Sequence, residues 1–182
     1  MKRFLAAILL STPRQILTML IVLSASTYMS ESKGAELTAD GIWELADHSG
    51  RPQGWFRIAE QNGVYEGQIV KMFPDAGEEP AAERCIRCEG DQKNAPVLGL
   101  VFIKGMQRKG LAYEGGRILN PRDGAEYRAR MDLSGDGKSL SVRGYLAIET
   151  FGQTQVWHRV PASAETAKLL TRSFGKATNK GN

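Results

Sequence analysis

From residue 36 to residue 160 the chain alternates apolar and polar positions over short runs, and each run ends at a turn signal. G-I-W-E-L-A at 41–46 stops at D47-H-S-G50. Q-G-W-F-R-I-A-E at 53–60 leads through Asn62-Gly63 into V-Y-E-G-Q-I-V-K. Asn-Gly between two alternating runs predicts a tight hairpin, because both turn residues must take positive φ. The run V-L-G-L-V-F-I-K-G-M, 97–106, is continuously apolar and reads as a strand buried on both faces. R-I-L-N at 117–120 is a short piece ending at P-R-D-G. E-Y-R-A-R-M-D-L at 126–133 puts Tyr127, Ala129, Met131 and Leu133 on one face. S-G-D-G then turns the chain into S-L-S-V-R-G-Y-L, 139–146, and T-Q-V-W-H-R-V at 154–160 completes the set.

About eight or nine short strands with no crossover helix between them predict an antiparallel sheet, closed as a meander barrel or folded as a sandwich. One polar stretch, 73–96, interrupts the pattern for much longer than any turn. A loop of that length in a compact domain has a role or is ordered by something. The tail 162–176 has helical spacing, with Lys168, Arg172 and Lys176 four apart and Leu169, Leu170 and Phe174 off that line. It reads as a basic tail packed loosely on the barrel, or as a weak contact with an anionic membrane surface. Three segments follow: a leader at 1–35, a barrel at 36–161 and the tail at 162–182.

The leader changes the picture. Lys2 and Arg3 come first, an apolar run from Ile16 to Ala25 follows Pro13 and Arg14, and small residues come after. This is the order of a secretory signal, and the run is short for a membrane span. Cleavage and retention as an anchor both remain open. Either outcome places the body in the periplasm or elsewhere in the cell envelope.

Charge adds an exclusion. The formal net charge is +4, but residues 1–34 (Lys2, Arg3, Arg14, Lys33, Glu31) and 165–182 (Glu165, Lys168, Arg172, Lys176, Lys180) each hold a surplus of +3. Residues 35–164 are therefore at −2, which gives a nucleic-acid backbone nothing to hold, and no nucleic-acid partner is expected.

Two features favour a barrel over a sandwich. Gly41-Ile42-Trp43 opens the first strand, and Trp157 and Arg159 share a face of the last. In a closed meander those strands pair, so an Arg can lie across a Trp and bond nearby carbonyls. Trp43, Trp157 and Arg159 are thus the expected barrel-closing residues. The pattern resembles the lipocalin-like (calycin) barrels. The second half is similar to the bacterial exported family called domain of unknown function 2147. The matching motifs are G115-G-R-I-L-N-P-R-D-G-A-E-Y127, L140-S-V-R-G-Y145 and T154-Q-V-W-H-R159. The family's C-x-x-C, following Asp and apolar run match Cys85, Cys88, Asp91 and V97-L-G-L-V-F-I-K-G105. The resemblance implies a small envelope barrel with no established activity to carry over. His158 departs from the family, which commonly has Thr or another residue there.

Cys85 and Cys88 are the only cysteines of the 182 residues. A thioredoxin-type site needs a helix after the second cysteine, and E-G-D-Q-K-N-A-P does not begin one. A zinc site would have to recruit His48 and His158, each alone in sequence. In an oxidising compartment a disulfide is the favoured reading, worth about 2 kcal/mol from chain entropy for so small a ring. Asp132, Ser134, Asp136 and Gly137 start like a calcium loop, but the position that should be Glu is Arg143, so this is a hairpin turn. No nucleophile elbow, Walker loop, dinucleotide fingerprint or H-E-x-x-H occurs. No catalytic residue, metal or cofactor is assigned. Tyr127, Arg143 and Tyr145 are candidate ligand-lining residues, with a structural role for Arg143 as the competing reading. The expected function is a non-enzymatic binding module for a small apolar or amphipathic molecule. The alternative is a structural or interaction protein that meets an envelope partner through its surface and loop 73–96.

Overall fold

The computed structural model describes residues 36–74 and 83–174. The leader expected over 1–35, part of the long loop, and Lys176 lie outside the described residues.

Eight antiparallel strands run in sequence order: β1 Gly41–Ala46, β2 Pro52–Gln61, β3 Val64–Met72, β4 Val101–Lys109, β5 Ala112–Leu119, β6 Glu126–Leu133, β7 Ser139–Tyr145 and β8 Gln153–Arg159. β1 pairs with β8, so the meander closes as a barrel. Asn62 and Gly63 take φ of 53° and 85°, the left-handed pair that a two-residue hairpin requires. Along β6 the apolar positions face inward: Ala129, Met131 and Leu133 are buried, and Tyr127 is half-buried.

Two stretches differ from the sequence pattern. β4 starts at Val101 rather than Val97. Gly99 takes φ 95° and donates to Ile69 O, while Ile69 N donates to Leu100 O, so Val97–Leu100 is an irregular turn capping β3. Gly115-Gly116 lies inside β5, which begins five residues before the short run at 117–120. Gly115 has φ 79° and the β5–β6 register shifts there, the signature of a bulge. A Cβ on Gly116 would collide with Met106 Sδ and Lys104 O, so the neighbouring strand depends on the missing side chain.

An up-and-down barrel has two ends. The turns at 62–63, 110–111 and 134–138 share one end with the strap at 36–40. That end is filled. Trp43, Tyr65, Met106, Tyr113, Met131 and Leu140 are all buried. Trp43 Nε1 donates to Ala39 O at 2.8 Å, and Ala39 N donates to Tyr113 Oη at 2.7 Å. Arg159 closes the end from outside. Its guanidinium lies 4.2 Å from the centroid of the Trp43 ring and donates to Thr38 O, Asp40 O and Gly137 O at 2.6–2.7 Å. Gly41 is required here, because a Cβ would sit 2.6 Å from Arg159 Nη1.

The C-terminal segment is docked rather than loose. Helix α1, Ala164–Leu170, carries a capping box in which the Ser163 and Thr166 side chains bond each other's backbone amides. α1 contacts β1, and Thr166, Leu169 and Ile42 are all buried. Lys71 pairs with Glu165 at 2.8 Å, and Arg57 lies over the Phe174 ring and donates to Arg172 O.

Candidate functional site

The other end of the barrel opens into a cleft. A cleft of about 1310 Å³ opens among the β1–β2, β3–β4, β5–β6 and β7–β8 connections. Its floor is aromatic. The Phe56 ring lies 4.4 Å from Trp157 and 5.2 Å from Phe102, and Phe102 lies 6.1 Å from Trp157. Ile69, Ile118 and Val142 form walls, and Gly144 contributes no side chain at all. Trp157 Nε1 donates to the exposed Gln155 Oε1 at 3.2 Å, so a polar group borders the aromatic cluster.

Four connections build the rim. In the β1–β2 turn, Asp47 accepts from Ser49 Oγ at 2.6 Å and from the amides of Ser49 and Arg51 at 2.9 and 3.0 Å. The Ser49 hydroxyl first, and then the Arg51 amide, hold the carboxyl at about 2 instead of its ordinary 3.8. A depressed carboxyl stabilises the fold above the unfolded value and loses that contribution as pH falls from about 4 to about 2. Asp47→Asn is therefore expected to lower the thermal midpoint near neutrality and to flatten its fall across that window, so that the two proteins converge near pH 2. Midpoints measured against pH for both proteins check this.

The β5–β6 turn is held by Asp123, which accepts from Asn120 Nδ2 and Ala125 N at 2.8 Å and from Tyr127 Oη at 3.2 Å. The Asp123 charge, then burial, pushes the Tyr127 phenol up. The cysteine segment seats on this turn. Cys85 and Cys88 form a disulfide and both are buried. Cys85 Sγ lies 3.3 Å from Pro121 O. A Cβ on Gly124 would collide with Arg87 O, and Gly124 sits at φ 75°. The segment is also folded on itself: Cys85 N donates to Ala95 O and Asn94 N to Cys85 O, both at 2.9 Å. So residues 83–96 form a compact stapled flap, not an open loop. Gly124→Ala combines left-handed strain with this collision and is expected to cost about 2 kcal/mol or more. A thermal melt together with proteolysis near residue 87 reads both consequences.

The sequence-derived residues divide between the two ends. Trp43 and Arg159 close the filled end. Trp157, expected to join them, lies two residues along β8 and forms the floor of the cleft. Tyr127 and Tyr145 line the cleft. Arg143 does not. It faces outward and donates to Glu149 O at 2.8 Å, Thr150 O at 3.0 Å and the Thr154 hydroxyl, which shapes the β7–β8 connection. His48 sits on the rim and His158 is exposed on β8. Among the described residues no three His, Cys, Asp or Glu side chains gather as metal ligands. Sequence reading missed Phe56 and Phe102, and it missed Leu146, Ile148 and Phe151 on the rim. Large apolar residues in a connection between strands were the available signal.

Over residues 41–159 the sequence matches a family described as uncharacterized protein conserved in bacteria, DUF2147. The chain belongs to the DUF2147 family. Within this DUF2147 protein the match begins at the Gly41 that Arg159 crosses and ends at Arg159 itself. Among solved structures, protein HP1028 from Helicobacter pylori, described as belonging to the lipocalin family, aligns with a TM-score of 0.58. Identity is 22%, and the alignment covers 74% of the DUF2147 chain and 89% of HP1028, so what the two share is the fold. No curated protein sequence matches the chain.

Proposed function

We propose that this DUF2147 protein is an exported envelope binding module that holds a small apolar or amphipathic molecule in the hollow half of its barrel. The cleft carries the reading: about 1310 Å³ of open space above an aromatic cluster, larger than the roughly 300–1,000 Å³ of an ordinary ligand site. Barrels of this strand number can hold one small ligand. A buried disulfide suits an oxidising compartment, in keeping with the leader pattern at the N-terminus.

Native mass spectrometry of protein taken from its own envelope is expected to release a bound small molecule. Adding that molecule back is expected to change the emission of Trp157, and Trp157→Phe should lose the change. Release of nothing, with emission unmoved by fatty acids, sterols and isoprenoids, overturns the reading. Ile86, exposed at the tip of the stapled flap, is the observation that favours a second reading, an adaptor acting through its surface. An empty cleft in that experiment leaves the adaptor as the surviving reading.

A further inference from the structure

The barrel seam is incomplete at the open end. β7 and β8 pair over six residues, from Ser139↔His158 to Gly144↔Gln153. β1 and β8 pair only at Trp43↔Arg159 and Glu44↔His158. Beyond that point the β1–β2 register shifts, with Gln53 of β2 left over as Leu45 pairs with Gly54 and Ala46 with Pro52, and Asp47 starts the turn.

The direction of the stranded groups follows from the ladder. Arg159 N donates to Lys138 O, on the β7 side, and Val160 N donates to Ile42 O, on the β1 side. Successive residues of an antiparallel strand turn their amide groups to opposite neighbours. Trp157 and Gln155 therefore bond β7, while Val156 and Thr154 turn N–H and C=O toward the missing part of β1. The β1–β8 register among the described residues stops at Glu44↔His158 and reaches neither of them.

The cleft reaches this edge. Thr154, Gln155, Val156 and Trp157 all line it. Their side chains alternate between the inside and the outside of the wall. Apolar side chains border the opening: Val156 is 50% exposed, and Leu146, Ile148 and Phe151 on the rim are 71%, 55% and 83% exposed.

An apolar cavity that runs out onto an unpaired strand edge asks for two chemistries in one ligand. The cavity takes a hydrocarbon chain. The edge takes a group that accepts from Val156 N–H and donates to Val156 C=O, as one strand does for another. A carboxylate or ester accepts only. The N–H and C=O of one N-acylated amino-acid residue, which face the same side of an extended chain, do both. Resting on the binding reading above, we propose that the ligand is an N-acylated amino-acid amide or peptide. Its acyl chain lies over Phe56 and Trp157, and its first residue lies along the β8 edge at Val156.

Three probes of matched chain length test this through Trp157 emission: N-palmitoylglycinamide, methyl palmitate and hexadecyl methyl ether. The amide is expected to bind about tenfold more tightly than the ester, the worth of one to two net hydrogen bonds. Val156→Pro removes the seam-facing N–H without touching a β7 ladder bond, and proline is tolerated at such an edge. It is expected to weaken the amide five- to tenfold and to leave the ether within twofold. Equal wild-type affinities for amide and ester overturn the proposal, and so does an equal loss of ether and amide in the variant. If the variant melts early, the wild-type ranking alone decides. If none of the three binds, the cavity reading fails and this inference goes with it.

Discussion

Arg159→Ala is expected to lower the thermal midpoint by roughly 10–15 °C, a larger effect than any other surface-accessible charge should produce. The guanidinium donates to three carbonyls from two separate segments, Thr38 and Asp40 of the strap and Gly137 of the β6–β7 turn. It also covers the Trp43 ring, which is fully buried. Alanine leaves the three carbonyls without their donor and opens one face of the indole to water. Losses of this kind sum to about 3 kcal/mol, which converts to roughly 3–5 °C per kcal/mol for a domain of this size. Burial pulls the guanidinium's pKa below its ordinary value, yet arginine stays charged there. Lysine should restore little of the loss, because one ammonium cannot span three carbonyls and stack on a ring. An Arg159→Lys protein that melts like the wild type would sink the argument, since charge alone would then suffice.

The same closure shows what the chain's pattern could and could not reveal. Alternation identifies which residues face inward, and it does so correctly for Tyr127, Ala129, Met131 and Leu133. The Asn62-Gly63 turn and the Gly41–Trp43–Arg159 set are local or paired signals, so they too are legible. Depth along the barrel axis is not. Trp43 and Trp157 both face in, yet one fills the closed end and the other lies buried beneath the cleft at the opposite end. That height depends on the register of eight strands and on bulges such as the one at Gly115, which a run of period two does not encode. The requirement for glycine at 116 comes from the close approach of Met106 on the neighbouring strand, which no local pattern encodes. The segment 83–96 reads as loop because its residues are polar, and its order comes from a disulfide and backbone bonds that carry no apolar signal. The seam between β1 and β8 is the least legible feature. It is an absence of pairing, created where β1 bends toward β2.

The distinction between a filled end and a hollow end predicts opposite outcomes for one kind of substitution. Ile118→Trp enlarges a side chain that lines the cleft. Open space receives the added atoms, so the thermal midpoint should hold or rise slightly, while ligand affinity falls about thirtyfold or more. Met131→Trp makes a similar enlargement at the closed end, where Met131 is fully buried. No space exists there, and overpacking should cost about 1–3 kcal/mol or more. Melting curves and Trp157-detected titrations on the two proteins separate the cases. A steep loss of stability in Ile118→Trp would mean that the cleft is packed in solution. Unchanged affinity in a stable Ile118→Trp would mean that the ligand sits elsewhere. Only a hollow mouth above a solid base makes the first protein stable and unable to bind, and the second unstable.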